Sequence, residues 1–230
     1  MATAFSLVDD LPPRLGLRLR EFGSLAVLKY KSRVADRARH AGARTGEPVL
    51  IVPGFMASDQ STAVLRQALA AAGHRVFGWE LGMNWGASAQ MLDGLVARLE
   101  RVARHGPVTV IGWSLGGLYA REIAKRRPDL VRQVITLGSP FSGDPRANHA
   151  WRLYELVNGH KVDAPPVAVN LTEKPPVPTY AYWSRADGIV APACARGRPE
   201  EVDEAIELTC THMGFMTSPR VIDAVLARLG

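Results

Sequence analysis

Val108-Thr109-Val110-Ile111-Gly112-Trp113-Ser114-Leu115-Gly116-Gly117 decides how this chain is read. The β-branched run 108–111 is a short buried strand, and residues 115–127, closed by Pro128, have helical spacing. A serine between them, flanked by Gly112 and Gly116, sits on a sharp strand-to-helix turn. Such a turn holds the hydroxyl outward and needs glycines where helix and strand approach closely, which is the geometry of a nucleophile elbow. The bland alternative is a glycine-rich turn with a serine helix cap. Gly-x-Ser-x-Gly also occurs by chance, and the strand before it and helix after it give it meaning here.

Outward from this point the chain alternates between two periods. Strands are expected over 49–52, 74–79, 131–137, 179–183 and 205–209, and helices over 62–72, 88–104 and 219–229. Strands separated by helices of this length imply a parallel sheet covered on both faces. Residues 138–178 break the rhythm. The 230 residues, 47% hydrophobic and 22% charged, suit one soluble domain (1–230) with one insertion at about 140–178. No apolar run is long enough to span a bilayer, and the first 22 residues lack the apolar core of a secretory signal. The expected location is cytoplasmic.

The net charge of +6 is uneven, because residues 1–46 hold nine Lys/Arg against four acids, a net of +5. Leucines and aromatic residues interleave with the charges over about 10–45, so this segment is expected to be helical. It either packs on the body with a solvated basic face or makes weak contact with an anionic membrane surface. The first reading is the simpler. Nucleic acid is not expected as a partner, since the excess is confined to one end with no binding motif.

A serine hydroxyl needs a base and an orienting acid to become a nucleophile. Ligands of parallel sheets bind at the carboxyl ends of the strands. His74 and His105 precede their strands, His40 lies before the first, and His149 and His160 fall in the insertion. His212 follows the strand expected at 205–209 and precedes Met213-Gly214, so it is the expected base. Asp187, in Asp187-Gly188-Ile189-Val190, follows the 179–183 strand and is the expected acid, with Asp144 as rival. The chain order is then Ser114, Asp187, His212. Oxyanion donors are expected from the Leu115 N–H and from Pro53-Gly54-Phe55-Met56, where Phe55 is the first choice and Met56 the next.

These stretches together resemble the α/β-hydrolase superfamily in its bacterial esterase/lipase branch, over about 49–229. The resemblance implies a three-layer α/β-hydrolase fold, with a mostly parallel sheet of up to eight strands. It also implies a triad of Ser114, Asp187 and His212, hydrolysis of carboxylic esters through an acyl-enzyme, and no metal or organic cofactor. The loop Gly54-Phe55-Met56 departs from the His-Gly or Gly-Gly-Gly runs of many members. The insertion stands where the superfamily carries a cap. A helix over 146–158 puts Ala147, Ala150, Trp151, Tyr154 and Val157 on one face, as an acyl-pocket roof or as permanent core. The expected pocket and lid residues are Met56, Trp113, Trp151 and Tyr154.

Cys194 and Cys210 belong to the acid and base loops. Some secreted relatives staple these loops with a disulfide, whereas a chain without a signal segment favours thiols, and both readings stay open. The expected substrate is a small-molecule or lipid ester. A thioesterase or acyltransferase with the same triad is the nearest alternative. A non-catalytic membrane- or partner-binding protein on this scaffold is more distant, because Ser, Asp and His are all present in order.

Overall fold

Pro48–Val52 (β1) alternates its side chains between two apolar layers, which is why all five residues are buried. The computed structural model describes residues 11–14, 16–17, 21, 46–86, 88–144, 147 and 170–230. After β1 come Ala63–Ala71 (α1), Arg75–Gly78 (β2), Ala89–Val102 (α2), Val108–Trp113 (β3) and Leu115–Arg126 (α3). Val131–Leu137 (β4), Thr179–Trp183 (β5), Pro192–Arg196 (α4), Glu204–Glu207 (β6) and Pro219–Leu229 (α5) complete the order.

The strands form one sheet in the order β2-β1-β3-β4-β5-β6, and each neighbouring pair is parallel. Val49 and Ile51 face a layer made by α1 and α5, including Leu65, Leu69, Val221 and Val225. Leu50 and Val52 face the opposite layer, where α2 and α3 supply Leu95, Leu99, Ala120 and Ile123. This is the three-layer α/β-hydrolase fold, with six strands among the described residues.

Several boundaries differ from the sequence expectation. β3 runs on through Gly112 and Trp113, because Trp113 pairs with Leu137 in the register. A single 3-10 turn, Asp59–Thr62, precedes α1 where one helix was expected from residue 62. The edge strand β6 lies earlier than residues 205–209, and its polar, largely exposed residues carry little apolar alternation to mark it. The expected lid helix, with Trp151 and Tyr154, lies outside the described residues apart from Ala147, as does nearly all of the basic segment. Among the described residues no helix is long and apolar enough to cross a membrane.

Candidate active site

Since every strand pair is parallel, the ends Val52, Trp113, Leu137, Trp183 and Glu207 lie at one edge. The loops after them gather there. Ser114 has φ 54° and ψ −124°, a sparsely populated conformation for a residue with a side chain, and its N–H donates to the Leu137 carbonyl at 2.9 Å. Strain of this kind costs about 1–3 kcal/mol and is held by surrounding contacts. The glycines make those contacts possible. A Cβ on Gly112 would meet Gly116 and Gly117, and one on Gly116 would meet the Val52 carbonyl.

Asp187 and His212 are brought together: Asp187 Oδ2 lies 2.8 Å from His212 Nδ1, and the two residues are 2% and 4% exposed. The other carboxylate oxygen accepts N–H bonds from Ile189 (2.8 Å) and Val190 (2.9 Å), which fixes the rotamer. Burial lowers the His212 pKa, but the charge and hydrogen bond of Asp187 and the charge of Glu21 more than offset it. The imidazole therefore lies above the ordinary histidine value. With Nδ1 held by Asp187, Nε2 is the nitrogen left for proton exchange.

The loop that carries His212 also meets β3. Trp113 Nε1 donates to the His212 carbonyl at 3.2 Å, and the two ring centroids are 5.7 Å apart. Trp113, expected on the pocket side, is buried and braces His212. The rival acid Asp144 is exposed, and its backbone carbonyl accepts from Ala147 N–H at 2.9 Å. His74 and His105 stand at the amino edge, where His105 stacks on Phe77. His40, His149 and His160 lie outside the described residues.

The loop after β1 packs directly on the Ser114 turn: a Cβ on Gly54 would lie 3.1 Å from Ser114 Cβ and 3.3 Å from the Trp113 carbonyl oxygen. Met56 N–H donates to the Asn84 carbonyl at 2.7 Å, so this expected alternative donor is engaged within the protein. Leu115 N–H begins α3, where the first amides have no intrahelical acceptor. Asn84 Nδ2 also donates to the Pro53 carbonyl at 2.8 Å. Asp59 accepts from Trp79 and Glu80 N–H at 3.0 and 3.1 Å, tying the turn that follows this loop to the end of β2.

Two residues that the motifs do not mark join the loops that carry Asp187 and His212. Ser184 Oγ donates to the Cys210 carbonyl, and Glu21 accepts from Gly188, His212 and Met213. Their partners are backbone groups, which leave no motif. Cys194 and Cys210 are buried thiols with no disulfide between them, packed in different apolar clusters. Among the described residues no cluster of three or more His, Cys, Asp or Glu is placed to hold a metal ion.

Residues 56–156 match the family model described as "Thioesterase domain". Among curated proteins no match is found. A solved structure from work on LipS and LipT, two metagenome-derived lipolytic enzymes, is 17% identical with a TM-score of 0.62, covering 82% of this chain and 94% of the other. The monoacylglycerol lipase of Paleococcus ferrophilus is 17% identical with a TM-score of 0.56, covering 79% of this chain and 93% of the lipase. A putative aryl esterase from Burkholderia cenocepacia is 14% identical with a TM-score of 0.56, covering 82% and 91%. The chain therefore shares the α/β-hydrolase fold, and esterases and lipases are among the structures it is similar to in fold.

Proposed function

We propose that the protein hydrolyses carboxylic esters, with Ser114 as nucleophile, His212 as base and Asp187 as the acid that orients the imidazole. The observation that carries this reading is the buried 2.8 Å Asp187–His212 pair, on a loop bonded to the residue before Ser114. Ser114 Oγ attacks the ester carbonyl carbon while its proton passes to His212 Nε2. The oxyanion receives hydrogen bonds from the Leu115 and Phe55 N–H groups, in a site where preorganised donors need no reorientation. Collapse of the tetrahedral adduct breaks the bond to the alcohol, which leaves with the proton from His212. Water then attacks the acyl-enzyme, His212 takes its proton, and the carboxylic acid departs as that proton returns to Ser114.

Exposed apolar side chains favour an acyl substrate over a charged one. Met56 and Met213 adjoin the oxyanion loop and the base, while Met83 and Trp85 flank Asn84, which holds that loop. We further propose one domain over the whole chain, with residues at about 140–178 as a small cap. The match to a thioesterase family model across the elbow supports a second reading, in which the scissile bond is a thioester and the same residues act.

A fluorophosphonate probe should label Ser114, and Ser114→Ala should abolish labelling. Rates on matched p-nitrophenyl esters and acyl thioesters then separate the two readings. A preference for the ester supports the first, and a strong preference for the thioester moves the assignment to the second. Labelling that survives Ser114→Ala would falsify both.

A further inference from the structure

We propose that Glu21 is a positioning residue of the active site, clamping the acid loop to the base loop through its buried carboxylate and so setting where the His212 imidazole stands. Oε1 accepts the N–H of Gly188 at 2.9 Å and of His212 at 2.7 Å, and Oε2 accepts the N–H of Met213 at 3.0 Å. Gly188 directly follows Asp187. One carboxylate therefore grips the acid loop and the base loop from a position 167 and 191 residues away in sequence. Glu21 is 7% exposed, so these bonds form where water competes little.

The chemistry of the donors explains the residue type. Met213 opens a 3-10 turn, Met213–Met216, for which His212 is the N-cap, so their N–H groups have no acceptor within the turn. Three converging donors need an acceptor-only group with two oxygens, which an ionised carboxylate provides. Glutamine would turn an NH₂ toward at least one N–H. Aspartate keeps the charge but is one methylene too short to span both loops. The carboxylate also brings negative charge to the imidazole, which becomes cationic during acyl transfer.

His212 faces Asp187 from the acid loop and Glu21 from the N-terminal segment. Trp113 and Phe215, which pack on its ring, carry no charge, and the nearby Cys210 thiol is neutral at pH 7 because burial and Asp187 push its pKa up to about 12. Glu21 is thus the one charge near the imidazole, among the described residues, that can be removed without touching its direct partner.

The inference rests on the triad reading, and labelling of the unsubstituted protein by the fluorophosphonate probe is its control. No labelling there fails the triad itself; labelling there with a negative outcome below fails only the role of Glu21. The test is kcat and KM for a short p-nitrophenyl ester across pH 5–9, with thermal unfolding in parallel. Glu21→Gln should lower kcat on the order of 10- to 100-fold with KM little changed, as expected when a reacting group is misplaced. The acid limb of kcat/KM should move to lower pH, because a charge favouring the imidazolium is gone. A folded Glu21→Gln with an unmoved limb and normal kcat overturns the proposal. A limb that stays while kcat falls only as the folded fraction falls also overturns it, as the mark of a strut. If Glu21→Gln does not fold, Glu21→Asp decides. A folded Glu21→Asp with reduced kcat, unchanged KM and the limb in place supports positioning by reach. One that matches the parent protein, or that fails to fold as well, overturns it.

Discussion

Ser184 and Cys210 exchange two hydrogen bonds: the Ser184 hydroxyl donates to the Cys210 carbonyl at 2.7 Å and accepts the Cys210 N–H at 3.2 Å. The same oxygen accepts Ala186 N–H at 3.0 Å, so one buried hydroxyl uses its whole bonding capacity to fold the acid loop and fasten it to the chain entering the base loop. Ser184→Ala leaves both Cys210 backbone groups buried without this partner. Each such group costs about 1–3 kcal/mol. The expected result is a lower urea midpoint at unchanged m-value, with partial activity in the folded fraction. A midpoint equal to that of the parent protein would show that the two loops are held by other contacts.

The triad assignment predicts a steep and unequal response to substitution. Ser114→Ala and His212→Ala should each lower kcat by about 10⁴-fold or more, because members of such a unit fail together. Asp187→Asn should cost a comparable factor by spoiling the imidazole tautomer. Asp144→Asn should be nearly silent, since Asp144 is exposed and His212 Nδ1 is paired with Asp187. A larger loss for Asp144→Asn than for Asp187→Asn would transfer the acid role.

What could be read ahead of the structure was what leaves a local mark. β4, β5 and α5 were expected with the bounds they have, since apolar runs and flanking Pro or Gly define them. Asp187 and His212 stand out because a carboxylate and an imidazole each follow a strand at the correct edge. Glu21 left no such mark. It sits in a basic, leucine-rich stretch where an acid reads as part of a solvated helix face, and its partners are backbone amides that only the tertiary fold delivers. Ser184 and Asp59 leave no mark for the same reason, since their partners are backbone groups.

The direction of the His212 pKa makes a pH prediction. Burial opposes the imidazolium, yet Asp187 and Glu21 together hold the pKa above 6.5. The base must be neutral to accept the serine proton, so kcat/KM should fall with decreasing pH through a midpoint above 6.5. The linked stability term has the opposite sense. It is fully present below the unfolded value of about 6.5 and is lost as pH rises through the folded pKa. A limb at or below 6.5 in the rate profile contradicts the charge arrangement around the ring.

Cys210 offers a chemical check on the base loop. Its thiol is pushed up to about 12, first by burial and then by the charge of Asp187, so almost no thiolate exists at neutral pH. Native protein should react slowly with iodoacetamide at pH 8, whereas protein in guanidinium should take up two equivalents without prior reduction. A single disulfide-bonded species, inert in guanidinium until reduced, would contradict the two thiols.

Substrate preference can be tested on the exposed apolar residues of the loops after β1, β2 and β6. Met56, Met83, Trp85 and Met213 are the large apolar side chains exposed near the catalytic edge among the described residues, and Trp85 is the most exposed of these at 54%. Exposed apolar area beside a nucleophile stabilises an acyl chain by about 25 cal/mol for each Å² it removes from water. Trp85→Ala should therefore reduce kcat/KM for octanoyl and longer p-nitrophenyl esters by about 10-fold, comparable to losing a few methylene contacts. Acetyl ester hydrolysis should change little, since two carbons need not reach the rim. Trp85 lies next to Asn84, whose side chain and carbonyl hold the loop after β1, so the acetyl rate also reports whether that loop has shifted. An equal loss on all chain lengths would place Trp85 in loop support and take the acyl chain away from this face.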